Sequence, residues 1–116
     1  MTRDIRVYIE DILDSITKIQ QYTQTVNEQD FLNNTQLQDA VLRRLEIMGE
    51  AVKNIPQAFR DRYPQIPWKK IAGLRDVLIH EYFGVNMRRA WKVAKQDIFV
   101  LSDELKKVKK DLETQK

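Results

Sequence analysis

The chain has 116 residues, of which 32% are charged and 42% hydrophobic. That is the size and balance of one folded domain with a single core, and it excludes wholesale disorder or a two-domain layout. The 20 basic and 17 acidic side chains leave a formal charge of only +3, so any nucleic-acid footprint has to come from clustering and not from total charge. With no cysteine and one histidine, thiolate chemistry and disulfides are excluded, a histidine-built metal site within one subunit is not expected, and a cytoplasmic location is.

The opening segment, Met1 to Arg6, reads as neither a signal peptide nor a membrane span. From Arg3 to about Tyr22 the apolar residues Ile5, Tyr8, Ile9, Ile12, Ile16 and Ile19 recur at three- and four-residue spacing, the mark of a long amphipathic helix. Polar residues 23–29 break the pattern. Residues 30–34 read as a short turn, with Asn33, Asn34 or Thr35 as the cap of a second helix. That helix runs from about Gln36 to Asn54, with Ala40, Val41, Leu45, Met48, Val52 and Ile55 inward and Arg43, Arg44, Glu46 and Lys53 outward. Gly49 in its interior costs roughly 1 kcal/mol relative to alanine, and marks either a close approach of another backbone or an incidental glycine.

Pro56 stops this helix or opens a new short one, residues 58–62 fit one or two turns, and residues 63–67 read as an extended connector. Pro67 and Trp68 start the third long helix, which carries Ile71, Leu74 and Leu78 and ends near Phe83, with Gly84 as a left-handed cap. Asn86 caps the last helix, which aligns Trp91, Ala94, Ile98, Leu101, Leu105 and Val108. Its lysine-rich end, residues 106–110, complements the negative end of the helix dipole. No segment has strand periodicity. The expected fold is all-α, an antiparallel four-helix bundle with one additional short helix, forming a single domain over residues 1–116.

One stretch of the third helix concentrates chemistry. Arg75, Asp76, the lone histidine His80 and Tyr82 fall within eight residues. A permanent cation can hold a phosphodiester oxygen and neutralise charge growing on it, while an imidazole titrating near neutrality can move a proton to or from a ribose hydroxyl. On an ideal helix Arg75 and Tyr82 lie about 20° apart, but His80 is about 140° around from Arg75. Either the helix loosens toward Gly84, or two copies meet across a two-fold axis and complete each other's site. The reading favoured is a symmetric homodimer with local distortion, which also gives Gly49 or Gly73 a reason for close packing. Asp76, four residues before His80, is either the group that orients the imidazole or a plain solvated carboxylate. Lys69, Lys70, Arg88, Arg89 and Lys92 flank the stretch and are candidates for tracking an RNA backbone. Trp68 and Trp91 read as core and hinge aromatics, not stacking platforms.

Arg75-Asp76, His80 and Tyr82 reproduce an R-x-x-x-x-H-x-Y signature, and the likeness extends through residues 39–51, 66–76 and 79–84. The chain thereby resembles the HEPN superfamily, and within it the HepT-like toxins. The resemblance implies a bundle that dimerises through the motif helices and acts as a metal-independent endoribonuclease without cofactor. It further implies the toxin of a type VII toxin-antitoxin pair whose antitoxin is a minimal nucleotidyltransferase. That partner would silence the toxin by adenylylating Tyr82. Catalysis would then rest on Arg75 and His80, with Asp76 and Tyr82 in support. The alternatives are a non-catalytic nucleotide-binding subunit of a nucleotidyltransferase complex, and a plain helical dimerisation module.

Overall fold

A computed structural model describes residues 4–80 and 87–114, with side chains described for 4–74 and 87–114. Helix α1 spans Ile5–Thr23 and begins where Asp4 accepts the amide of Arg6 at 2.9 Å. The Arg6 guanidinium also bonds this carboxylate, and both Arg6 contacts hold the Asp4 carboxyl below its usual range. The expected stripe is the buried one: Tyr8, Ile9, Ile12, Ile16 and Ile19 enter the core, with Ile5 packed at its edge. Ser15 is also buried, and its hydroxyl finds no partner among the described residues.

The segment read as a turn is a helix of its own. α2 spans Glu28–Leu32 and is closed at its start by a reciprocal cap, in which the Asp30 amide donates to Asn27 Oδ1 at 2.8 Å and the Asn27 amide to Asp30 Oδ2. This cap places Phe31 in the core with no exposed surface. Asn34 then caps α3, Thr35–Lys53, by accepting from Leu37 at 3.0 Å. Gln38 donates from its side chain to the carbonyls of Phe31 and Leu32, satisfying the end of α2.

Val41, Leu45, Met48 and Val52 of α3 are buried, as the spacing requires, and so is Gly49. The Arg60 guanidinium closes the C-terminal end of α3, donating to the carbonyls of Val52 at 2.7 Å and Ile55 at 2.9 Å. Arg60 belongs to α4, Gln57–Arg60, the single short turn expected after Pro56. The connector that follows is not extended. Tyr63, Ile66 and Trp68 amides donate back to Arg60, Tyr63 and Ile66 carbonyls in successive turns. The coil is driven by burial, because it drops the side chains of Tyr63, Ile66 and Trp68 into the core while the Trp68 indole donates to Tyr63 and Arg60 carbonyls.

α5, Trp68–His80, packs against α3. Residues 81–86, including the expected caps Gly84 and Asn86, lie outside the described residues. The last helix begins as α6, Met87–Lys92, widens through one π-helical stretch, Val93–Asp97, and continues as α7, Ile98–Thr114. Ala94, Ile98, Leu101, Leu105 and Val108 are buried as expected, while Trp91 is half-buried with its ring 5.3 Å from Phe31. Within the π stretch Lys95 reaches across to α1, donating to the Thr23 carbonyl at 3.0 Å, and its ammonium sits 5.4 Å from the Trp91 ring centre. A cation at the C-terminal carbonyls of α1 is favoured by the helix dipole. Every described element is helical, giving the all-α bundle expected, with two short helices added to the long ones instead of one.

Candidate active site

α5 is positioned from its N-terminal half. Trp68 and Ile71 are buried, Ala72, Gly73 and Leu74 half-buried, and Lys69 and Lys70 exposed. Arg75, Asp76 and His80 lie on the continuation of this helix, but their side chains are outside the described residues, and Tyr82 lies outside them altogether. The backbone is α-helical as far as His80. Arg75 and His80 therefore keep a helical separation of about 140° around the axis and about 7.5 Å along it. The helix does not loosen before His80, so the backbone distortion expected toward Gly84 does not lie between the two residues.

Between α5 and the last helix runs an apolar cleft of about 210 Å³, lined by Ile71, Leu74, Val93, Ile98, Val100 and Leu101, with Lys70 and Asp97 among its polar members. Val100 is 74% exposed beside it, and Phe99 is 51% exposed. Neither was singled out in the sequence, yet a signal existed. Ile98-Phe99-Val100-Leu101 is four apolar residues in succession, which no helix can hide on one face.

Four of the five flanking cations divide into two pairs. Lys69 and Lys70 are exposed and form no ion pair among the described residues. Arg88 bonds Glu28 at 3.1 Å and so ties α6 to α2, and Arg89 is likewise engaged. Glu50 lines a groove of about 360 Å³ between α1 and α3 with Asp11, Arg43 and Glu46. Among the described residues no three histidines, cysteines or carboxylates gather as metal ligands, and no helix is long and apolar enough to cross a membrane.

These features define an all-helical bundle with a basic-flanked motif helix at its side. The family model for HepT-like ribonucleases matches residues 12–108, and the chain belongs to that family. It is 46% identical to "Probable ribonuclease HepT" of Thermococcus cleftensis, covering 95% of this chain and all of that one. A "Putative RNase" of Methanocaldococcus jannaschii is 45% identical, with 96% of both chains covered. Another protein of that organism, named "Gamma-glutamylcyclotransferase and putative RNase", is 47% identical over the whole of this chain. The chain spans about half the length of that relative (52%). No solved structure gives a significant match.

Proposed function

We propose that the protein is an RNA endonuclease in which His80 and Arg75 perform a metal-independent cleavage. The observation that carries this reading is an unbroken HepT-like chain whose only histidine follows Arg75 on one helix. His80 takes the proton from a ribose 2′-hydroxyl or delivers one to the departing 5′-oxygen. The 2′-oxygen forms a bond to phosphorus as the bond from phosphorus to the 5′-oxygen breaks, leaving a cyclic phosphate and a free 5′-hydroxyl. Arg75 holds the non-bridging oxygens, and the charge growing on them, with its planar donors. Asp76 orients the imidazole and Tyr82 positions substrate. Lys69 and Lys70 are better placed than Arg88 and Arg89 to meet RNA phosphates, because the arginines are already engaged.

The separation of Arg75 and His80 around α5 supports a homodimer in which two copies supply the proton-transfer groups. The exposed Val100 and the apolar cleft beside α5 offer a surface for that pairing. In this reading the protein is one domain, a cytoplasmic toxin of a type VII toxin-antitoxin system. Its antitoxin, a minimal nucleotidyltransferase, moves an adenylyl group from ATP to the Tyr82 hydroxyl with release of pyrophosphate. The added bulk and negative charge would repel RNA from the site.

The test is cleavage of RNA in the presence of chelator. His80→Ala and Arg75→Ala are expected to lose activity by about 10² to 10⁴-fold while remaining folded. Wild-type rates from both variants would sink the assignment. Absence of growth arrest on expression, with no effect of His80→Ala on growth, would favour the nucleotide-binding subunit instead.

A further inference from the structure

α5 contains a glycine that its own fold does not require. Gly73 is half-buried and has no positive φ, and beyond its own helix backbone and chain neighbours a Cβ built on it meets no atom within 4 Å among the described residues. Neither backbone conformation nor packing among the described residues calls for glycine there, although glycine is among the least favourable residues inside a helix. A helix without a side chain at one point lets another molecule come close to its backbone.

The neighbours of Gly73 say what that molecule is. Lys69 and Lys70, one turn earlier, sit on either side of it, about 40° and 60° around the helix. Both are exposed and form no ion pair among the described residues. Two turns beyond Gly73 the register reaches His80, about 20° around from it and about 10 Å along the axis. A stripe of register positions thus runs from two exposed cations through Gly73, past Asp76 and Val77, to the candidate catalytic histidine.

We propose that Gly73 is a substrate-contact position, where the sugar-phosphate backbone of a single RNA strand lies directly against α5 between the scissile phosphate at His80 and a phosphate seat at Lys69 and Lys70. The proposal rests on the ribonuclease reading and adds a subsite remote from the reacting atoms. A second copy of the chain suits this face less well. A two-fold crossing centred on Gly73 would bring two pairs of lysines together, whereas a polyanion is drawn to them.

The experiment uses a fluorescent single-stranded RNA and the full chain. Affinity is measured by anisotropy for His80→Ala and for His80→Ala with Gly73→Ala, and cleavage by the wild type is followed separately. Gly73→Ala is expected to weaken RNA binding about tenfold, to raise Tm by about 4 °C, and to leave the sedimenting mass unchanged. Replacing Lys69 and Lys70 by alanine should reduce the slope of log affinity against log salt by about 1.4. Equal affinity in the glycine and alanine proteins overturns the subsite even if the wild type cuts RNA. A changed mass also overturns it, assigning Gly73 to contact between copies. Weakened binding in the alanine protein, with no cleavage by the wild type, supports the subsite while defeating the nuclease reading.

Discussion

The half of the bundle made by α1 to α3 and the flank made by α5 and the last helix are built differently. In the first, each helix start carries its own side-chain cap, from Asp4, Asn27 and Asn34, and Ile9, Ile12, Ile19, Phe31, Val41, Leu45, Met48 and Val52 have no exposed surface. On the second, α5 passes from buried Trp68 and Ile71 to half-buried Ala72, Gly73 and Leu74, a cleft opens beside it, and Phe99 and Val100 face outward. Among the described residues, the contrast teaches that exposed apolar surface gathers where the last helix runs beside α5, at Val100 and the cleft it lines. Surface that a folded monomer would normally hide is left beside the residues expected to do chemistry.

Truncating the densest point should give the largest effect. Phe31→Ala removes a fully buried ring and its contact with Trp91, so the unfolding free energy in urea should fall by about 4 kcal/mol. Its counterpart on the flank, Val100→Ala, should move it by less than about 0.5 kcal/mol. Similar losses from the two would erase the distinction. A smaller effect separates capping from burial within the first half. Asn34→Ala should cost about 1 kcal/mol by leaving the Leu37 amide without its acceptor, whereas Ser15→Ala should gain about 1 kcal/mol by removing a buried hydroxyl that has no partner.

The smallest effect depends on pH. Burial first, then the hydrogen bond to Asp111 at 3.1 Å, raises the pKa of Tyr63 above the ordinary phenol value. Above about pH 10 an unfolded chain gives up this proton while the folded chain keeps it. The contribution is therefore complete below pH 10 and declines as alkalinity increases. Tyr63→Phe should flatten that decline relative to wild type in melts between pH 9 and 11, and parallel curves would remove Tyr63 as its source.

Helix faces were readable because burial imposes a three- and four-residue rhythm, and so the inward positions of α1 and α3 followed from Ile9, Ile12, Leu45 and Val52. Asn34 was legible as one of three caps, since short polar side chains have few other uses beside an apolar run. The coiled connector was not. Tyr63-Pro64-Gln65-Ile66-Pro67 has the local preferences of extended chain, and only the distant core that receives Tyr63, Ile66 and Trp68 bends it. Nor was the π stretch, because Ala94, Ile98 and Leu101 fit a straight α-helix equally well, and the reach of Lys95 to Thr23 is a tertiary fact. At the candidate site the motif gave residue types and their common helix. A pairing of two copies, on which the proposed site depends, leaves no periodic trace.

The widened turn at Val93–Asp97 has a consequence for how this helix tolerates change. A π turn holds one residue more than an α turn, so a single deletion there can be absorbed by tightening the spiral instead of tearing it. Because Lys95 fastens that turn to α1, the shortened chain would have to choose between keeping its anchor and rotating everything downstream, including the pairing of Lys109 with Glu10. The spare residue acts as an adjusting screw for the angle at which the C-terminal helix meets the rest of the protein.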